Sequence, residues 1–97
     1  MIVQISSDAE QDIAEAFWFY ESQAVGLGSY FRDEIIADIE SLVSHGGIHE
    51  QVAGYHRCLS RRFPFAIYYR VEDEIVTVAA VLDAWRSPSW IRKRLDR

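Results

Sequence analysis

The chain has 97 residues, 49% hydrophobic and 26% charged, enough for one small folded domain and too little for two, and too apolar for a disordered segment. The formal net charge of −5 conceals a division: residues 1–54 hold ten acids and one base (Arg32), residues 55–97 hold five acids and nine bases, so the halves carry −9 and +4. No apolar run approaches the roughly 18 residues of a membrane span, the opening MIVQISSDAEQD is acidic where a signal peptide is basic, and the single Cys58 cannot close an intramolecular disulfide. The expectation is a cytoplasmic protein with no membrane partner, in which Cys58 is a small buried strand residue.

Ile2, Val3 and Ile5 make a short first strand. Ser7 and Glu10 have the spacing of a capping box and open a helix in which Ala9, Ile13, Ala16, Phe17, Tyr20 and Ala24 form one apolar stripe. Glu10, Asp12, Glu15 and Glu21 fall on the opposite, polar side. After the glycines of AVGLGSY the pattern resumes with Leu27, Phe31, Ile35, Ile39 and Leu42 until Gly46-Gly47 ends it, which predicts a helical hairpin packed on a sheet. Trp18, Phe19, Ile36 and Val43 lie off these stripes and give the hairpin more apolar surface than one contact face requires.

Residues 48–54 read as a loop and Tyr55 to Ser60 as a strand. From Pro64 a second strand places Phe65, Ile67, Tyr69 and Val71 on one side and Ala66, Tyr68 and Arg70 on the other. Glu72-Asp73-Glu74 turns the chain into IVTVAAVLDA, apolar on both faces apart from Thr77 and Asp83, as suits a central strand. Ser87 and Pro88 open a last short helix with Trp90, Ile91 and Leu95 and a basic run, Arg92, Lys93 and Arg94. The order β-α-α-β-β-β-α describes a single α+β domain over residues 1–97, a small twisted antiparallel sheet with the helical hairpin on one face.

Chemistry, if present, belongs to the arginines. Arg57 and Arg61 would share one face of their strand, Arg62 follows, and Arg86 sits just past the central strand. Guanidinium forks match phosphate oxygens and the charge of a phosphoryl transition state, yet they also pair readily with the acids of the first half. His45, His49 and His56 surround a glycine-bearing loop without a complete ligand spacing, so neither a metal nor another cofactor is expected.

The stretch RRFPFAIYYRVEDEIVTVAAVLDAWRSPSWIRKR closely resembles the C-terminal half of the RelE/ParE superfamily of toxins from type II toxin–antitoxin pairs, among them plasmid stabilisation proteins. A weaker likeness runs over the whole chain, including YESQAVGLGSYFRDEI. Members that cut messenger RNA on the ribosome need a cationic pair, which the resemblance maps onto Arg61 and Arg86. This chain departs from them with Asp83 and Trp85 where relatives often carry His and a second Arg. Tyr55, His56, Tyr68 and Tyr69 remain as acid–base groups for such a reaction.

The helical junction, RRFPFAIYYRV and the R-x-P ending resemble the ParE branch better, whose members inhibit DNA gyrase by binding. On that reading Arg57, Arg62, Trp85, Arg86, Arg92, Lys93 and Arg94 are contact candidates, with Trp85 as an anchor. An acidic, hydrophobic antitoxin segment would wrap the uncovered sheet face and basic edge. Alternatives are a RelE-like nuclease acting with ribosome and mRNA, and a non-toxic relative that retains antitoxin binding alone. Sheet-edge pairing offers a route to a homodimer that nothing in the sequence specifies.

Overall fold

The computed structural model describes residues 1–97. The elements are β1 (Ile2–Ile5), α1 (Ser7–Glu21), α2 (Leu27–Glu40), α3 (Leu42–His45), β2 (Gln51–Val52), β3 (Tyr55–Leu59), β4 (Phe65–Glu72), β5 (Ile75–Asp83) and α4 (Pro88–Leu95). The expected α+β architecture is present, with the helical hairpin on one face of a small sheet. The sheet has five strands in the order β1-β5-β4-β3-β2. All pairings are antiparallel except β1 with β5, which run parallel. The N-terminal strand thus lies beside the last one, and β5 becomes an inner strand, as its two apolar faces require.

Local chemistry explains the element ends. The cap of α1 is Ser6, one residue earlier than expected: its hydroxyl accepts the Ala9 amide, so Glu10 completes no capping box. The turn between the long helices is held by Glu21, whose carboxylate accepts the amides of Gly26 and Gly28. Residues 48–54, expected as loop, contain β2 and a two-residue hairpin turn with Ala53 and Gly54 both at positive φ. The α4 start follows expectation, since the Ser87 hydroxyl accepts the Trp90 amide and Pro88 is the first helical residue.

The main core lies between the hairpin and the sheet. Ala9, Ile13, Ala16, Phe31, Ile35, Ile39 and Leu42 meet Cys58, Ile67, Tyr69, Val76, Val78 and Val81 there. The step from Val78 to Val81 breaks the two-residue alternation because β5 carries a bulge. Tyr68 faces Ala80 and Tyr69 faces Val78, leaving Ala79 over and exchanging the faces of the residues that follow. The second sheet face, expected from the sequence to be uncovered, is partly covered. Ile91 and Leu95 of α4 pack there on Ala66, Tyr68, Ala80 and Leu82, and burying each contributes about 1.5–3 kcal/mol. An eight-residue helix covers only part of that face, and Arg70 stays exposed beyond it.

β1 is too short to cover the whole of β5, and α1 seals the rest. The Ser6 amide donates to the Val78 carbonyl, its hydroxyl to the Ala79 carbonyl, and the Asp12 carboxylate accepts the Val81 amide. These bonds satisfy an edge that would otherwise be left open. No helix is long and apolar enough to cross a membrane.

Candidate binding site

Two connections meet at one end of the sheet. Phe65 at the start of β4 faces Asp83 at the end of β5, and the Ala84 amide donates to the Pro64 carbonyl at 2.8 Å. The β3–β4 bend with Arg61 and Arg62 and the β5–α4 turn with Trp85 and Arg86 therefore lie at the same edge. Both are fixed from beneath. Buried Asp38 of α2 accepts the Ser60 hydroxyl at 2.8 Å and the Arg61 amide at 3.3 Å, and Asp83 accepts the Trp85 amide at 2.8 Å.

The anchored backbone presents its side chains to solvent. Trp85 is 84% exposed. Arg86 lies over the Trp90 ring at 4.4 Å, a cation–π contact that orients the guanidinium while leaving it exposed. Trp90 is thus a platform at the surface. Arg61 is exposed and has no ion pair, and Arg92 and Lys93 are exposed on α4. Arg61 lies beyond the end of β3, so it does not share a strand face with Arg57 as expected.

The remaining candidates are engaged internally. Arg57 donates from Nε to the Tyr68 hydroxyl at 3.2 Å and pairs with Glu50 at 3.9 Å. Arg62 pairs with Glu34 at 3.4 Å across the bend, with most of its side chain still in water. Arg94 is withdrawn from the surface altogether: its Nη2 reaches Asp12 at 2.7 Å and it belongs to the interior. Burial pushes the Asp12 carboxyl above its ordinary range, while the Val81 amide and Arg94 pull it back. Three of the nine bases in the second half therefore neutralise acids of the first half, and six do not.

The groups available for proton transfer are elsewhere. Tyr68 and Tyr69 are fully buried, and the Tyr55 hydroxyl donates to the Leu95 carbonyl. The Gly47 amide donates to the Tyr69 hydroxyl, which is hydrogen-bonded to His49 Nδ1; His56 Nδ1 donates to the His49 carbonyl at 2.7 Å. Burial holds His49 below its ordinary range, with His56 and His45 adding to the effect, and burial raises the Tyr69 hydroxyl. His56 and Tyr69 face each other in the β3–β4 ladder, well along the strands from Phe65 and the Arg61 bend. Cys58 is buried as expected, and burial followed by the Asp38 charge pushes its thiol up. Sequence reasoning passed over Arg70, which lies over the Tyr55 ring at 4.1 Å on the second face. Its alternation with Tyr68 in β4 was the available signal.

The profile of the ParE toxin of type II toxin–antitoxin system, parDE, matches residues 3–88. The chain belongs to the ParE toxin family. A solved structure described as the chromosomal ParDE TA system from P. aeruginosa has the same fold as this ParE-family chain. The TM-score is 0.71 and the identity 18%, over 84% of this chain and 92% of that one. No curated protein sequence matches.

Proposed function

We propose that this ParE-family chain acts as a toxin that inhibits DNA gyrase by binding and is neutralised by a cognate antitoxin. The observation that carries the reading is the Trp85–Arg86 turn. A tryptophan that exposed, held by Asp83 and followed by an oriented guanidinium, is a preformed anchor for a protein partner. Arg61 at the same edge, and Arg92 and Lys93 along α4, carry exposed positive charge without an ion pair, which favours approach to a negatively charged target.

A RelE-like cleavage of messages would use the same edge differently. It needs a proton acceptor and a donor within hydrogen-bond reach of the reacting groups. Tyr68, Tyr69, Tyr55 and His56 are buried or bonded to other partners, away from the Arg61 bend. That arrangement favours binding over cleavage. The antitoxin, an acidic and hydrophobic segment, finds apolar surface on the hairpin at Trp18, Phe19 and Val25 as well as the basic edge.

Induced expression in a bacterial host tests the proposal. Growth arrest with loss of supercoiling and intact messages is expected. Cleavage of translated messages would replace it with the nuclease reading, and healthy growth with soluble protein would leave a relative that binds antitoxin alone.

A further inference from the structure

The part of the second sheet face that α4 does not cover holds a pocket of about 230 Å³ that the toxin reading does not use. Ser6, Tyr55, Arg70, Thr77, Arg94 and Arg97 line it, so strands β3, β4 and β5, the first turn of α1 and the end of the chain converge there. Asp8 is the one acid in the lining, against three arginines, in a chain whose net charge is −5.

The donors outnumber the acceptors. Arg70 lies over the Tyr55 ring at 4.1 Å, and its guanidinium has no ion pair and no side-chain hydrogen bond in the protein. Arg94 uses only Nη2, for Asp12 and the Asp8 carbonyl, so Nε and Nη1 are unengaged. The Arg97 side chain and the Thr77 hydroxyl make no side-chain hydrogen bond, and the amide of Asp8, which lines the pocket in the first turn of α1, has no backbone acceptor. These donors approach from the sheet, from α1 and from the chain end. A tetrahedral phosphate carries three terminal oxygens, accepts from several directions at once, and matches the forked donors of a guanidinium. The α1 dipole adds to the attraction for a negative charge.

We propose that this pocket binds the terminal phosphate of a small phosphate monoester, held by Arg70 and Arg97 with the Thr77 hydroxyl as a further donor. The volume suits a phosphate with a small remainder and lies below the roughly 300 Å³ at which pockets for larger organic ligands begin. The proposal does not depend on gyrase or antitoxin binding.

Titration of isotope-labelled full-length protein with inorganic phosphate, at fixed ionic strength, reads the site through its amide signals. Saturable shifts at Asp8, Arg70 and Thr77 are expected. Affinity should fall at least about fivefold in Arg70→Gln and Arg97→Gln, whose dispersed spectra report the intact fold. Arg32→Gln on α2 should bind as the wild type does. Shifts that never saturate, that persist undiminished in Arg70→Gln, or that are lost equally in Arg32→Gln would overturn the proposal. A short oligonucleotide with a 5′-phosphate should bind better than the same oligonucleotide without one; equal binding would assign the pocket to chain-internal phosphates and overturn the monoester assignment.

Discussion

Asp12 and Arg94, separated by 82 positions in the chain, share one oxygen with the sheet: Asp12 Oδ2 accepts Arg94 Nη2 at 2.7 Å and the Val81 amide at 3.0 Å. One carboxylate thus joins α1, β5 and α4. Removing one partner of a buried pair leaves the other charge without compensation, which costs about 3–5 kcal/mol. Arg94→Ala is therefore expected to lower unfolding stability by about 3 kcal/mol. Asp12→Asn, which still accepts the Val81 amide, should cost less. Urea unfolding of the two variants checks the order, and an Arg94→Ala protein as stable as wild type would remove the pair from the account.

Stability should depend on pH through His49. Its imidazole is held below its ordinary value of 6.5, chiefly by burial, and its Nδ1 is hydrogen-bonded to the Tyr69 hydroxyl. The unfolded chain binds this proton more readily than the native one, so the contribution is fully present above pH 6.5 and is lost as pH falls toward the native value. His49→Gln removes the titration and should flatten that slope. Unfolding midpoints on both sides of 6.5 read it, and an unchanged slope in the variant would point to another group.

The β4–β5 turn contains stored strain. Asp73 and Glu74 both take positive φ, 49° and 64°, in a two-residue hairpin turn where aspartate suits the first place and glycine normally fills the second. A left-handed non-glycine residue costs roughly 1–2 kcal/mol. Glu74→Gly should raise stability by about 1 kcal/mol without altering the fold. Thermal unfolding of the variant measures it directly.

Close approach of the hairpin helices depends on Gly28. A Cβ there would stand 2.6 Å from the Phe17 carbonyl oxygen and 2.9 Å from the Glu21 Cβ. Since backbone cannot yield cheaply, Gly28→Ala should cost about 1–3 kcal/mol. Gly26 has open space around it but a φ of +89°, so Gly26→Ala should destabilise through conformation alone. Comparing the two in a denaturant series separates crowding from backbone strain.

The hairpin and the strand alternation were legible because each rests on a period: most of the stripe from Ala9 to Leu42 and the opposed sets in Phe65 to Val71 pack where the sequence puts them, whereas Ala24 lies past the end of α1 and is exposed. The parallel β1–β5 pairing was not, since four residues carry no signal for their partner. Asp12 shows why charged residues mislead. It falls on the polar side of α1, and only the arrival of β5 and α4 makes it interior. Arg94 sits within a run of three bases, and the helix phase that buries it depends on where α4 lands. The exposed anchor at Trp85 was readable as a departure from the family pattern, but its exposure came from the Asp83-supported turn.

The Trp85–Arg86 turn is the proposed gyrase contact. The measurement that tests it most directly is a supercoiling assay with purified gyrase and purified wild-type, Trp85→Ala and Arg86→Gln proteins, each verified as folded. Inhibition by the wild type, weakened at least about tenfold in each variant as loss of an interface anchor requires, is the predicted result. Wild-type protein that leaves supercoiling untouched, or variants that inhibit as strongly as wild type, would contradict it.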